Sequence, residues 1–591
     1  MNWFSIGKRQ QKKQGDSLGA FTWRFRLAVV IVFGFVSIGL AAQMYRWQVV
    51  GHEKYSELAR VQHISDERLP SSRGTIYAAD GSVLAVDEPV WDAYASVSSD
   101  ESERERFDLQ RETFLDTVSS VLGLERNEVD ELLVPDFRHV LLKKEVTAEE
   151  KSALEDAALF GLYLEENERR IYPQGSLACH IVGFVGKNDY GEDVGNYGLE
   201  GYYAGDLLGV EGFQYEEKDS RGNVILTGEY DPVIPREGKN IVLTIEPGLQ
   251  RRVETLIEKG VKDQKAKSGS VIVMDPSTGA ILAMANYPRF NPTYYWKEDD
   301  PEVFRNKAIS DVYEYGSVNK VLTLSMALEE GEITPETECI DDTGSIEVID
   351  KTIYTWDKNP DGVLLPKDIL RLSNNVCAVK TGQKVGIERF YDYMGKFGIG
   401  DFIGIGLQDE ATSYFPPLEK WTLVDLAAAS FGQAISATPL QIASAVSTIA
   451  NDGVRMRPYI VDRIYDDSED IDIVPEELGR VISEKSADQM QDMMETVVLD
   501  GEAKSWFRRL SQYSIAGKTG TAQIPYKDRY GYQEDKTNVT FVGFSPVHDA
   551  KMLMIVRLEE PGEQSLSAYT VVPVWIEIYE NIALDLGIAP Q

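Results

Sequence analysis

The chain has 591 residues, more than one hydrophobic core usually supports, so two or more folded units are expected. An apolar fraction of 43% and a charged fraction of 26% are those of a globular protein and exclude wholesale disorder. A net charge of −36 excludes a nucleic-acid binder, because phosphate backbones select Lys and Arg.

The charge is unevenly placed: the first 46 residues hold seven basic side chains and one acidic. Within them, residues 27–44 (LAVVIVFGFVSIGLAAQM) carry no charge and approach the length a helix needs to cross a bilayer core. Lys8, Arg9, Lys12, Lys13, Arg24 and Arg26 precede this run, and the positive-inside rule then keeps the N-terminus cytoplasmic. The expected order is a cytoplasmic tail over 1–26, a single-pass anchor in the cell membrane over 27–45, and an exported remainder. A cleaved signal peptide is the alternative, with Gly39-Leu40-Ala41 as its small-residue site. The apolar run is longer than the usual signal core, and both readings export the rest.

Residues 46–235 read as a non-catalytic unit of mixed α and β structure. A polar helical stretch opens it. Arg73-Gly74-Thr75-Ile76-Tyr77 and Asp80-Gly81-Ser82-Val83-Leu84 then read as two strands joined at an Asp-Gly turn. Helical periodicity follows over 114–124 and 149–159, and Gly and Tyr in 196–205 (NYGLEGYYAG) predict a packed turn rather than a helix.

A second unit, 236–591, opens with a strand at 240–245 and a helix from Pro247 to about Lys262. Apolar runs at 270–274 and 280–284 bracket Asp275-Pro276-Ser277-Thr278-Gly279, a hairpin with turn residues where a turn needs them. Helix-rich sequence spans 317–450, and strands return at 513–516, 537–544 and 552–558. This order describes an α+β unit with a mostly antiparallel sheet flanked by helices.

Three cysteines (Cys179, Cys339, Cys377) without a CxxC pair give no disulfide framework and no zinc signature. The five histidines, His52, His63, His139, His180 and His548, show no ligand spacing. All are read as core fillers or surface groups, and no metal or cofactor is expected.

Chemistry is carried instead by three short motifs. Ser317-Val318-Asn319-Lys320 opens a helical stretch, so serine and lysine at i and i+3 share one face. A serine hydroxyl needs a base to become a nucleophile, and a lysine kept neutral by burial can supply one. The same spacing recurs at Ser5 and Lys8, on the cytoplasmic side of the anchor. Ser373-Asn374-Asn375 places a hydroxyl and an amide two residues apart, a pair able to relay a proton and orient a substrate amide; capping or turn chemistry is the competing account. Lys518-Thr519-Gly520-Thr521 lies in the strand-like run SIAGKTGTAQI, where lysine and hydroxyl suit a carboxylate and glycine admits substrate backbone. A second Lys-Thr-Gly, at Lys380-Thr381-Gly382, falls in a helical context and is set aside as coincidence.

In this order and setting, the motifs resemble those of the penicillin-binding protein and serine β-lactamase superfamily. Further runs are similar to class B penicillin-binding proteins: SSRGTIYAADGSVLA (71–85), RRIYPQGSLACHIVGFVG (169–186), NYGLEGYYAG, VIVMDPSTGAILAMANYPRFNPT (271–293), RNKAISDVYEYGS (305–317) and FGQAISATPLQIASA (431–445). The resemblance implies an elongated pedestal of the dimerisation type, then a transpeptidase domain with a five-stranded sheet and a helical subdomain. Ser317 would attack the penultimate D-alanine carbonyl of a peptidoglycan stem peptide, and Lys320 would take its proton. Ser373 and Asn375 would pass protons and hold substrate. Lys518 and Thr519 would meet the substrate carboxylate, with Gly520 admitting substrate backbone and Thr521 on the strand side. The N–H groups of Ser317 and Thr521 would form the oxyanion hole. An amine of a neighbouring strand would resolve the acyl-enzyme, and β-lactams would acylate Ser317 and remain there.

The family usually has proline where this chain has Tyr315, two residues before the serine, a residue that would pre-set the entry into the helix. Asn375 as third residue of the second motif, and the run 375–400, resemble the division and sporulation branch more than the elongation branch. That branch implies septal synthesis with division proteins and a SEDS-type glycan polymerase as membrane partner. An elongation-type transpeptidase, a D,D-carboxypeptidase, a β-lactamase or β-lactam sensor, and a non-enzymatic division scaffold are the alternatives. No Glu-x-x-Leu-Asn element lies between Ser373 and Lys518 to activate a deacylating water.

Overall fold

Near-continuous apolar runs in the central strands, buried on both faces, build the sheet of five strands that carries the site. In the computed structural model, which describes residues 11–50, 52, 64–69, 71–97, 101–133, 139–217, 233–413, 415–526, 528–529, 531–562 and 566–591, those strands lie in the order Ile281–Tyr287, Ser268–Met274, Met552–Glu559, Tyr532–Ser545, Ala516–Pro525. Every pairing is antiparallel, with Val271 opposite Val556, Phe541 opposite Val556, and Lys518 opposite Val542. Successive side chains leave a strand on opposite faces, so period two sorts this apolar sequence into two cores. Ile272, Met274, Val542, Phe544, Leu553 and Ile555 pack with the helices Asn319–Glu329 and Pro439–Ala450. Val271, Val273, Phe541, Met554 and Val556 pack with the helices Pro247–Asp263 and Val571–Ile582 on the other face. Each such side chain contributes roughly 1.5–3 kcal/mol when fully buried.

The chain divides into two compact units, Met1–Pro70 with Glu211–Pro235, and Ser71–Val210 with Arg236–Gln591. In the first, a helix over Gln11–Tyr45 runs into a π turn at Arg46–Val50, and Phe25–Val50 is long and apolar enough to cross a membrane. Its other described element is an antiparallel pair, Ile64–Leu69 with Gly212–Glu217. The polar helix expected after residue 46, the Ser5–Lys8 repeat and His63 fall largely or wholly outside the described residues.

The second unit also holds a seven-stranded sheet. Ile76–Tyr77 and Val83–Ser96 form the expected hairpin, its turn closed by Gly81 at φ +81° and by Asp80 Oδ1 accepting from Ser82 N at 2.9 Å. Asn240–Leu243 joins Ile76–Tyr77 in parallel, and Val461–Tyr465 pairs with Asn240–Leu243, so one sheet combines strands from distant parts of the sequence. The helices Glu101–Leu122 and Ala148–Asp156 answer the two periodic runs.

Two expectations fail. Residues 196–205 contain the helical turns Gly198–Tyr202 and Ala204–Leu207 rather than a non-helical turn. Two of the glycines there serve close packing: a Cβ at Gly198 would meet Ile181 O at 2.3 Å, and one at Gly201 would meet Gln408 Oε1 at 1.8 Å. The helix-rich stretch 317–450 is interrupted by two antiparallel ribbons, Cys339–Asp341 with Gly362–Leu364 and Ser345–Val348 with Lys351–Tyr354. Strands of three or four residues are too short to override a helical reading of their surroundings.

Candidate active site

Ser317 sits in a 3-10 turn, Gly316–Val318, that runs directly into the Asn319–Glu329 helix. Two glycines let this turn press against the Ala516–Pro525 strand. Gly316 adopts φ +57°, where a Cβ would meet Thr521 O at 2.6 Å, and a Cβ at Gly520 would meet Tyr315 O at 2.5 Å. Either contact would push the serine turn off the strand. Tyr315 holds the entry from the inside: its buried hydroxyl donates to Asn319 Oδ1 at 3.0 Å, and Asn319 Nδ2 donates to Ala429 O at 2.6 Å. An anchored aromatic ring thus stands where a rigid proline was the expected device.

The second motif is fixed by its middle residue. Asn374 caps the Asn375–Val385 helix by accepting from Cys377 N at 2.8 Å, and its Nδ2 donates to Asp341 at 2.6 Å and Asp361 at 2.7 Å. Ser373 takes φ +57°, a strained conformation for a residue with a side chain. Asn375 donates through Nδ2 to Tyr354 O at 2.8 Å, which leaves Oδ1 turned inward. Capping and site geometry are therefore one arrangement, not competitors.

The motifs converge on Lys320. Its Nζ lies 2.6 Å from Ser373 O, 2.7 Å from Asn375 Oδ1 and 2.9 Å from Ser317 Oγ. Burial pushes its pKa well below the usual lysine value, and the nearby Lys518 charge pushes the same way. A neutral amine has two N–H groups and one lone pair. Ser373 O and Asn375 Oδ1 accept only, so they use the N–H groups and leave the lone pair for the Ser317 hydroxyl.

Lys518 is also buried, and burial lowers its pKa to about 7 against the opposing pull of Glu502. Its Nζ donates to Ser373 Oγ at 3.3 Å and to Thr519 Oγ1 at 3.2 Å. The Ser373 hydroxyl thus stands between the two amines, since Lys320 Nζ lies 3.2 Å from it. Ser317, Ser373, Asn375, Thr519 and Thr521 all line one cavity of about 620 Å³, while Gly520 backs onto Tyr315. Thr521 Oγ1 is further tied to Ser567 Oγ at 2.7 Å. Lys380-Thr381-Gly382 lies within the Asn375–Val385 helix, with Lys380 donating to Ile340 O at 2.6 Å, away from this chemistry.

The reading of the cysteines needs correction, because Cys339 and Cys377 form a disulfide. Their 38-residue separation gives no sequence cue; the pairing arises because the Cys339–Asp341 strand lies against the helix that begins at Asn375. Cys179 is free and buried, and His180 is a core histidine whose Nε2 lies 2.9 Å from Val303 O. The capping account weighed for the second motif holds for Asn374, to which the sequence assigned no part in shaping the site.

Residues 269–577 match the family described as the penicillin binding protein transpeptidase domain, and residues 68–243 match the penicillin-binding protein dimerisation domain. The chain is 30% identical over 587 residues to stage V sporulation protein D of Bacillus subtilis, covering 96% of this chain and 87% of that protein. It is 26% identical over 590 residues to the probable peptidoglycan D,D-transpeptidase PenA of Neisseria meningitidis, covering 99% and 95%. Among solved structures, penicillin-binding protein 2X of Streptococcus thermophilus superimposes with a TM-score of 0.76 at 25% identity, covering 89% of this chain and 81% of that one.

Proposed function

The chain belongs to the class B penicillin-binding proteins and is a peptidoglycan D,D-transpeptidase, and from that premise we propose that it works through an acyl-enzyme on Ser317 during septal wall synthesis. The observation that carries the reading is the Lys320 amine, 2.9 Å from Ser317 Oγ with both its N–H groups already engaged. Lys320 takes the hydroxyl proton as Oγ attacks the penultimate D-alanine carbonyl of the donor stem. Negative charge on the carbonyl oxygen is met by the N–H groups of Ser317 and Thr521, which lie in rigid backbone and need no reorganisation. Lys518 in its protonated form, with Thr519, holds the terminal carboxylate. Collapse breaks the C–N bond, and the leaving D-alanine amine takes a proton through the Ser373 hydroxyl between the two lysines. An amine of a second stem then attacks the ester and restores Ser317.

Residues 1–26 form the cytoplasmic tail, 27–45 the anchor, 46–235 the pedestal and 236–591 the catalytic domain. The basic residues before the apolar helix support this orientation, with the cleft outside the cytoplasm. A SEDS-type glycan polymerase and division proteins are its membrane partners. β-Lactams mimic the D-Ala-D-Ala end and acylate the same serine.

The test is labelling of the full-length protein in detergent with a fluorescent penicillin, beside Ser317→Ala. Stable labelling that vanishes in the variant supports the reading. Rapid loss of label from the wild type indicates a β-lactamase, and undiminished labelling of the variant removes Ser317 from its role.

A further inference from the structure

Transpeptidation has two substrates, and the groups described so far handle only the first. The second arrives with its reacting nitrogen as an ammonium ion, which must be bound and must lose a proton before it can attack. Lys518 in its protonated form repels such a group, and the neutral Lys320 amine carries no charge to attract it. The cavity wall nevertheless contains a carboxylate suited to it. Glu502 lines the same cavity as Ser317, Thr519 and Thr521, and among the described residues it makes no hydrogen bond or ion pair.

Its position is built by the backbone. The helix Glu484–Asp500 packs against the Ala516–Pro525 strand and ends at the cavity, where Val497 and Asp500 belong to the lining. Gly501 closes the helix by donating to Val497 O at 3.0 Å, and a Cβ there would meet that same oxygen at 2.2 Å. The chain therefore turns sharply and delivers Glu502 one residue later. The C-terminal end of a helix carries partial negative charge, which adds to Asp500 and Glu502 in favouring a cation. Two cationic side chains share the wall. Arg371 is engaged by Asp368 at 3.0 Å, and Lys504 makes no ion pair with Glu502. Partial desolvation raises the Glu502 pKa, against the pull of Lys518, so the carboxylate accepts a proton more readily than an ordinary glutamate.

We propose that Glu502 is the acceptor-binding residue of this transpeptidase, receiving the primary ammonium of the second stem peptide and taking its first proton. The inference rests on the acyl-enzyme reading given above. In the step it describes, the ammonium passes one proton to the Glu502 carboxylate and becomes an amine. The amine nitrogen forms the new C–N bond to the acyl carbon. Its second proton goes to Ser317 Oγ as the ester C–O bond breaks, and Glu502 returns its proton to solvent.

The two half-reactions separate this role from any effect through Lys518. The full-length protein and its Glu502→Gln and Glu502→Asp variants are assayed for acylation by fluorescent penicillin. They are then assayed for transfer from a D-Ala-D-Ala pentapeptide donor, its own amines acetylated, to a stem tetrapeptide with a free side-chain amine. Losing a charge-assisted contact should raise the acceptor KM of Glu502→Gln about tenfold or more, while acylation changes less than about threefold. Glu502→Asp should recover part of that loss. An unchanged acceptor KM overturns the proposal, and so does a fall in acylation matching the fall in transfer, which would assign Glu502 to the donor step. Wild-type protein that takes no label overturns the underlying reading as well.

Discussion

Arg73 and Arg170, their side chains 9% and 5% exposed in the dimerisation-domain region, both grip Glu200, whereas Lys320 and Lys518, fully buried in the cleft, have no carboxylate within ion-pair distance among the described residues. The guanidinium contacts are 2.6 and 2.7 Å, and Arg170 also holds Asp87 at 3.0 Å. Burial alone would lower the Arg170 pKa, but Glu200 and Asp87 outweigh it and hold it above the usual value. In the cleft the balance reverses. Burial dominates, Lys320 falls well below the ordinary lysine value, and Lys518 falls to about 7. Whether a buried cation becomes a structural tie or a base depends on the company of a carboxylate.

The comparison breaks most severely if Glu200 loses its charge. Glu200→Gln leaves buried guanidinium charge uncompensated and should lower the urea unfolding free energy by about 3–5 kcal/mol. The penicillin acylation rate of the protein that remains folded should hardly change. Lys320→Ala should do the opposite, leaving the unfolding curve in place while slowing acylation about 10³-fold in stopped-flow labelling.

Removing the Cys339–Cys377 bond by paired substitution to alanine should cost about 2–4 kcal/mol in the same unfolding assay, because the unfolded chain regains loop freedom. Supplying the missing carboxylate sharpens the contrast further. Asn375→Asp puts a negative charge where Oδ1 now lies 2.7 Å from Lys320 Nζ. A carboxylate favours the protonated amine, so the acid limb of the acylation profile should move up by about 1–3 pH units.

Much of the cleft was legible in the sequence because its parts are short and local. Ser317 and Lys320 are one helical step apart, and Lys518, Thr519 and Gly520 lie in a run that reads as a strand. The sheet was legible too, since its strands are apolar and bounded by turn residues such as Asp275 and Gly279. The paired charges were not, because Arg73 finds Glu200 across 127 residues and nothing local marks either as a partner. The same distance problem hid the disulfide and the joining of Asn240–Leu243 to Ile76–Tyr77. At 196–205 the cue itself misled, since glycine serves tight packing there as well as turning.

The most direct test of the central claim, that burial without a carboxylate keeps Lys320 neutral, is the pH dependence of the second-order rate constant for acylation by fluorescent penicillin. This constant reports ionisations of the free enzyme. On the mechanism proposed above, Lys320 acts in its neutral form and Lys518 binds carboxylate in its protonated form, which is lost as pH rises through about 7. The rate constant should not rise between about pH 7 and pH 9 and should instead decline across that range as Lys518 loses its proton. A climb of about tenfold per pH unit across the same range would mean that Lys320 titrates as an ordinary lysine, and would contradict it.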